Sequence, residues 1–136
     1  MEMALTKEIE EIILASKTIA VVGASRNPMK AAHSVPKYLQ KKGYRIIPVN
    51  PKAERILREK CYANLRIIPT PIDIVNIFRP AEATATIIKE VIILKSKLIW
   101  LQLGIKREEV KAIAKKYHIP FIQDHCLMVE HAKLVQ

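Results

Sequence analysis

The stretch Lys17–Lys30, which reads KTIAVVGASRNPMK, constrains the fold more than any other part of this 136-residue chain. Its first part, Thr18–Val22, is a short apolar run rich in β-branched residues. Such a run, bounded by polar residues and a glycine, predicts a buried strand. The run breaks at Gly23-Ala24-Ser25, and a helical pattern follows. A strand, a tight turn of small residues and a helix together expose backbone N–H groups and the positive end of a helix dipole. We therefore predict a phosphate-binding loop in a nucleotide-binding α/β domain.

The rest of the chain repeats this alternation of strand and helix. After strand one at Thr18–Val22, we predict strands two to five at Tyr44–Val49, Asp73–Phe78, Lys97–Leu103 and Ile119–Ile122. The predicted helices are Leu5–Leu14, a helix ending near Lys41, a short turn at Ala53–Glu59, Glu82–Lys95, Lys106–Tyr117 and Leu127–Leu134. The pattern predicts an α/β fold, a doubly wound sheet of five parallel strands in the order 3-2-1-4-5 with helices on both faces. We expect residues 1–136 to form a single domain, with an N-terminal helix in residues 1–15 packed on it.

The helix that ends near Lys41 contains a proline, Pro36, which leaves two interpretations. A helix that begins near Met29 would lose one backbone hydrogen bond at the proline. A helix that begins near Ser34 would carry the proline in its first turn, where proline is tolerated. We favour the later start, which leaves residues 29–33 as a loop or a single turn over the ligand.

Composition narrows the class of protein. Half of the residues are apolar, so disorder is not expected, and no apolar run reaches the roughly 18 residues of a membrane-spanning helix. Two cysteines form neither a disulfide framework nor a zinc site, and the first residues do not resemble a secretory signal, so we expect a cytoplasmic protein. The formal charge of +10 fits a Lys-rich solvated surface. The many Ile, Lys and Glu residues, with few Gly and Gln, resemble the composition of a thermostable protein. The same charge also favours an anionic ligand. The broad apolar surface of Glu82–Lys95 favours a homodimer.

Polar residues and cations follow every predicted strand. Because ligands of open parallel sheets bind beyond the carboxyl ends of the strands, beside strand one, these residues form the candidate site. They are Gly23, Ala24, Ser25, Arg26 and Asn27 after strand one, Asn50, Pro51 and Lys52 after strand two, Arg79 and Pro80 after strand three, Gln102 and Gly104 after strand four, and Asp124, His125 and Cys126 after strand five. Lys30 lies near the same mouth. Several cations at one mouth suit a ligand with several phosphates.

Two common nucleotide motifs are absent. A dinucleotide fingerprint needs three glycines, G-x-G-x-x-G, and an acidic residue at the end of strand two. Here the turn holds Gly23 alone, and Asn50 stands at the position of the acid, so NAD is disfavoured. No G-x-x-x-x-G-K-[ST] stretch occurs, which excludes a P-loop ATPase or GTPase.

The segments IAVVGASRNP, IIPVNP, DIVNIFRP, IWLQLGI and QDHCLMVEH occur in that order. As a set they closely resemble the single-domain coenzyme A-binding proteins, a Rossmann-like family related to the CoA-binding domain of the succinyl-CoA synthetase α subunit. The resemblance covers roughly Ser16 to Leu134. It implies that CoA lies along the carboxyl edge, with its phosphates at Gly23–Asn27 and its adenosine-phosphate region beside Asn50-Pro51-Lys52. The rest of the CoA channel is implied at Phe78-Arg79-Pro80 and Gln102-Leu103-Gly104. The family often has Asp-Arg-Cys where this chain has Asp124-His125-Cys126.

The resemblance and the absence of a second domain favour a binding module that carries, buffers or senses CoA or acyl-CoA without catalysis of its own. Two alternatives stay open. One is an enzyme that acts on a CoA thioester through Asp124 or Cys126. The other is a nucleic-acid-binding protein, supported by net charge alone and without aromatic platforms. Cys126 is also a candidate for a mixed disulfide with the CoA thiol. The four histidines lack metal-ligand spacing, so no metal site is expected.

Overall fold

The computed structural model describes residues 5–136. The helices over these residues are α1 (Lys7–Ala15), α2 (Ala31–Lys41), α3 (Ala81–Leu94), α4 (Glu108–Lys116) and α5 (Leu127–Leu134). The strands are β1 (Thr18–Val22), β2 (Arg45–Val49), β3 (Arg55–Ile56), β4 (Glu59–Lys60), β5 (Ile74–Ile77), β6 (Leu98–Gln102) and β7 (Phe121–His125), and a 3₁₀ helix spans Leu65–Ile67. The predicted helix at Leu5–Leu14 is confirmed as α1, whereas residues 1–4 of the predicted N-terminal segment lie outside the described residues.

Five parallel strands form one sheet in the order β2-β1-β5-β6-β7. β1 occupies the interior, pairing with β2 from Thr18 opposite Arg45 onward and with β5 from Ile19 opposite Ile74 onward. Helices cover both faces of the sheet, which confirms the predicted α/β class.

The predicted strand order is wrong at one position. The sequence pattern places the third strand of the sheet, observed as β5, beyond β2, but it lies between β1 and β6. The outer edge of β2 is already occupied. Tyr62 donates its N–H to the Pro48 carbonyl at 3.0 Å, and its own carbonyl accepts the Asn50 N–H at 2.9 Å. Because Pro48 has no N–H to offer a further strand, β5 pairs with the remaining side of β1. Counted along the chain, the order is 2-1-3-4-5, a common doubly wound arrangement.

The apolar residues of the strands alternate between two cores, one on each face. Val22, Val49 and Ile77 pack with α3, α4 and the 3₁₀ helix. Ile19 and Trp100 belong to the other core, which packs with α1, α2 and α5. The connection from β1 therefore crosses one face and the connection from β5 crosses the other. A crevice opens between neighbouring strands whose connections diverge in this way, and it lies at their carboxyl ends.

α2 begins at Ala31, earlier than the predicted start near Ser34, so Pro36 lies inside the helix. Proline has no N–H, and the carbonyl of Ala32 one turn earlier therefore lacks its usual helical partner. That carbonyl instead accepts the Ser25 N–H at 3.1 Å. The proline thus leaves the Ala32 carbonyl free to form a hydrogen bond that joins α2 to the turn after β1.

Residues 55–60 form an antiparallel hairpin where the sequence predicts a short helical turn. Leu57 and Arg58 make its turn with φ values of 54° and 68°, a left-handed conformation that usually selects Gly or Asn. The hairpin is held by the buried side chain of Ile56 and by a 3.0 Å hydrogen bond from Gln40 Nε2 to the Leu57 carbonyl. Contacts with distant parts of the chain, rather than turn residues, therefore determine this segment.

β7 ends later than predicted, because the sequence pattern stops the strand at Ile122 and the strand reaches His125. Asp124 adopts a φ of 58° where the register between β6 and β7 shifts. This irregularity interrupts the alternation from which a strand is predicted.

The apolar surface of α3, from which the homodimer is predicted, includes Ile93, which is 72% exposed. The homodimer stays a prediction. Among residues 5–136, no helix combines the length and apolar character that crossing a membrane requires.

Candidate functional site

A cleft of about 470 Å³ lies at the carboxyl ends of β1, β2 and β5. Its lining residues are Val22, Gly23, Ala24, Val49, Asn50, Pro51, Lys52, Ala63, Asn64, Leu65, Arg79, Ile87 and Glu90. The cleft occupies the crevice between β1 and β5 and extends along the face covered by α3. Its size is that of a small-molecule site.

The turn after β1 lies directly against the turn after β5. Gly23 has a φ of +88°, and a Cβ built on it would lie 3.0 Å from Arg79 Cδ and 3.1 Å from the Phe78 carbonyl oxygen. A glycine is needed here both for the backbone conformation and for this close approach. The small residue keeps the Arg79 side chain beside the mouth of the cleft.

The loop between β1 and α2 is held by hydrogen bonds centred on Ser25. Its Oγ accepts the Asn27 N–H at 3.0 Å, and its N–H donates to α2 through the Ala32 carbonyl. Its own carbonyl lies 2.8 Å from His33 Nδ1, which donates when protonated. These bonds fix the loop before any ligand arrives.

Not every backbone N–H of the predicted phosphate loop is available to a ligand. Gly23 donates its N–H to the Val49 carbonyl at 3.0 Å, and the N–H groups of Ser25 and Asn27 are committed as above. Within residues 5–136, the N–H groups of Ala24 and Arg26 have no hydrogen-bond partner. The donors left for an anion are therefore fewer than the sequence pattern suggests, and Ala24 lines the cleft.

Asn50 joins the loops that follow β1 and β2. Its Nδ2 donates to the Ala24 carbonyl at 2.9 Å, while its Oδ1 accepts the N–H groups of Lys52 at 2.8 Å and Ala53 at 3.2 Å. A carboxylate at this position could not donate to the Ala24 carbonyl. The asparagine therefore positions the two loops that form the cleft mouth.

We call Gly23, Lys52 and Arg79 the cationic end of the cleft. The side chains of Lys52 and Arg79 are exposed, and neither makes an ion pair or a side-chain hydrogen bond with another described residue. By contrast, Lys97 pairs with Asp73 and Arg107 with Glu109. Two unpaired cations at one mouth suit an anionic ligand, and the guanidinium suits a phosphate in particular.

The other end of the cleft, which we call the helical end, is formed by Leu65, Ile87 and Glu90. Glu90 is half-buried on α3, and its Oε1 accepts the Leu65 N–H at 3.2 Å. Leu65 opens the 3₁₀ helix, whose N-cap Asn64 accepts the Arg66 N–H at 3.0 Å. This end is mainly apolar and carries a carboxylate.

The structure brings some of the predicted site residues together and not others. Those that line the cleft are Gly23, Ala24, Asn50, Pro51, Lys52 and Arg79. Those that do not line it are Ser25, Arg26, Asn27, Lys30, Phe78, Pro80, Gln102, Gly104 and Cys126. The sequence pattern does not predict five further lining residues, because their place in the cleft depends on how the segment after the hairpin folds against α3. These residues are Ala63, Asn64, Leu65, Ile87 and Glu90. Contact between any of these residues and CoA stays a prediction.

The residues predicted after strands four and five serve internal contacts. Gln102 is 4% exposed, and its Oε1 accepts Asn76 Nδ2 at 3.3 Å and the Leu127 N–H at 3.4 Å. The Asp124 carboxylate accepts the Gly104 N–H at 2.8 Å. These side chains hold β5, β6, β7 and α5 together at the carboxyl edge.

The two thiols differ in position. Cys126 is the N-cap residue of α5 and is half-buried against the core that packs with α2 and α5. Burial raises the pKa of the Cys61 thiol, and the nearby charge of Arg26 lowers it by less. Cys61 is therefore not activated as a thiolate. In the part of the chain that the structure describes, no cluster of His, Cys, Asp or Glu could hold a metal ion.

The chain is similar to known proteins over most of its length. A family model described as "CoA binding domain" matches residues 17–132. The chain is 41% identical over 125 residues to an uncharacterized protein, YneT, of Bacillus subtilis, covering 92% of this chain and 93% of that protein. A structure from Thermus thermophilus, titled cell-free ID.343, superposes with a TM-score of 0.91 at 42% identity, covering 94% of this chain and 97% of that one.

A more distant match is the ADP-forming acetate–CoA ligase II of Archaeoglobus fulgidus. It is 37% identical over 76 residues, which are 54% of this chain and 11% of the ligase. The chain therefore corresponds to a small part of that enzyme.

Proposed function

The chain belongs to the CoA binding domain family, and on that premise we propose that it binds coenzyme A, free or acylated, at the carboxyl edge of its sheet. We propose that it carries, buffers or senses this ligand in the cytoplasm without catalysis of its own. The cleft at the carboxyl ends of β1, β2 and β5, with Gly23, Lys52 and Arg79 at its mouth, is the observation that supports the proposal.

The chemistry of the cationic end fits the phosphates of CoA. Arg79 and Lys52 have no anionic partner among the described residues, and the Ala24 N–H has no acceptor. The N-terminus of α2 follows nearby without a side-chain cap, since its N-cap residue is Lys30. Charged donors and an uncapped helix end both favour a pyrophosphate or a phosphate monoester.

Asn50 fits CoA better than it fits NAD. A free ribose diol is usually held by a carboxylate at the end of the second strand. Here an amide occupies that position and is bonded to Ala24, Lys52 and Ala53. In CoA the 3′-hydroxyl is phosphorylated, so a carboxylate beside it would be repelled.

Neither of the other functions considered from the sequence gains support. The Asp124 carboxylate is bonded to the Gly104 N–H, and neither Asp124 nor Cys126 lines the cleft. A catalytic role would need one of these groups beside the reacting thioester. A nucleic-acid-binding role still rests on the net charge of +10 alone.

Isothermal titration with CoA, dephospho-CoA and NAD tests the proposal. CoA should bind most tightly, loss of the 3′-phosphate should weaken binding by about tenfold, and NAD should give no measurable heat. Equal affinity for all three ligands, or no binding of CoA, would contradict the proposal. Dependence of binding on salt should be modest beside that of a nucleic-acid-binding protein.

A further inference from the structure

The two ends of the cleft call for different parts of a ligand. Arg79 stands just before α3, and Glu90 lies nine residues beyond the first residue of that helix, Ala81. At the rise of an α-helix, nine residues correspond to about 13 Å. Glu90 is the one acidic residue among the described residues that line the cleft. A phosphate is attracted to the cationic end and repelled by this carboxylate, so the helical end must receive a neutral group.

The orientation of the Glu90 carboxylate is fixed by the backbone. Its Oε1 accepts the Leu65 N–H at 3.2 Å, and its Oε2 has no hydrogen-bond partner within residues 5–136. Oε2 is not among the buried side-chain atoms that lack a partner, so it is accessible. An ionised carboxylate only accepts hydrogen bonds. We therefore expect Glu90 Oε2 to accept a hydrogen bond from a donor group on the ligand.

The residues that line the cleft beside that oxygen are mainly apolar. Leu65 and Ile87 provide apolar walls beside Glu90, and Val22 and Val49 continue the apolar lining toward the sheet. A purine ring gains from burial between such side chains. Among the parts of CoA, adenine is planar, neutral and carries an exocyclic amine that donates hydrogen bonds.

We propose that the helical end holds the adenine of CoA and that Glu90 Oε2 accepts a hydrogen bond from its exocyclic amine. This inference rests on the proposed function and adds a residue that determines base specificity. The base then lies along α3 with the phosphates at the cationic end. Hypoxanthine, which has an oxygen in place of the amine, would meet the carboxylate with an acceptor and bind less well.

The test compares CoA with its analogue that carries hypoxanthine in place of adenine, by isothermal titration. The wild-type protein should bind the adenine form about tenfold more tightly. In Glu90→Gln, the Leu65 N–H keeps the amide oxygen on its side, so the amide NH₂ faces the cleft. That NH₂ donates to the oxygen of hypoxanthine and opposes the amine of adenine, and the order of affinities should reverse.

Glu82→Gln is the matched control, because Glu82 is an exposed acid in the first turn of the same helix. It removes the same charge and should keep the wild-type order. Equal binding of both forms by the wild-type protein would overturn the inference while CoA binding stands. If a folded Glu90→Gln variant still prefers adenine, Glu90 does not accept the hydrogen bond from the exocyclic amine. If circular dichroism shows that Glu90→Gln does not fold, titration of the wild-type protein with the two forms of CoA still decides whether the protein distinguishes adenine from hypoxanthine. Failure of both forms to bind the wild-type protein would instead contradict the proposed function.

Discussion

Replacing Gly23 with alanine should damage both the stability of the fold and the binding of CoA. The new Cβ would lie 3.0 Å from Arg79 Cδ and 3.1 Å from the Phe78 carbonyl oxygen. The Arg79 side chain can rotate away, but the Phe78 carbonyl belongs to the backbone at the end of β5. In addition, an alanine at a φ of +88° is strained by about 1–3 kcal/mol.

Gly43 separates these two effects, because it has a φ of +104° and a Cβ there would meet no atom within 4 Å. Gly43→Ala should therefore show the backbone strain alone. Gly23→Ala should lose about 1–3 kcal/mol more, which is the usual cost of crowding a packed site. For a chain of this length, each kcal/mol lowers Tm by about 3–5 °C.

Thermal unfolding and titration with CoA measure the two consequences. Gly23→Ala should have the lower Tm of the two variants and about tenfold weaker CoA binding, because the displaced Arg79 no longer faces the phosphates. Gly43→Ala should bind CoA like the wild-type protein. Equal Tm values together with unchanged CoA affinity in Gly23→Ala would refute the assignment of this turn to the ligand.

Arg79→Ala should weaken CoA binding by about 1–3 kcal/mol in a titration, whereas Lys89→Ala, an exposed cation on α3, should not, and equal effects would contradict the cationic end. Burial raises the pKa of Asp73, but hydrogen bonds from the backbone N–H groups of residues 17 and 18 and the charge of Lys97 together lower it below its ordinary value. The carboxylate therefore stabilises the fold above the unfolded pKa of about 3.9 and loses this effect as the pH falls through its lower folded value. Asp73→Asn should lower Tm at pH 7, and the difference from wild type should shrink in melts at progressively lower pH; a constant difference would contradict this. Pro36→Ala should restore a helical N–H that competes with the Ser25 N–H for the Ala32 carbonyl. Hydrogen exchange at the Ser25 N–H should therefore become faster. Unchanged protection of this N–H would show that its hydrogen bond to the Ala32 carbonyl does not depend on the proline.

The sequence predicts the fold where the determining interactions are local. The apolar run of β1 and the pattern of α5 give their observed bounds, because burial of neighbouring residues alone defines them. The strand order is not local, since it depends on Tyr62 closing the outer edge of β2. The early start of α2 depends in the same way on a partner outside the helix, the Ser25 N–H.

The candidate site likewise contains residues that the sequence pattern predicts and residues that depend on contacts between distant parts of the chain. The residues that follow β1, β2 and β5 directly could be predicted, since the carboxyl ends of parallel strands meet at one edge. Neither Leu65 nor Glu90 directly follows a strand of the five-stranded sheet. They meet at the cleft through a hydrogen bond between the 3₁₀ helix and α3. Gln102 follows the rule in sequence, yet the neighbouring Asn76 and the N-terminus of α5 take up its side chain.

A crystal structure of this protein grown with CoA would show directly whether the ligand occupies the cleft. We expect the pyrophosphate to lie within hydrogen-bond distance of the Ala24 N–H and the Arg79 guanidinium, inside the cleft beside Gly23. Electron density for CoA on another surface, with this cleft empty, would contradict it.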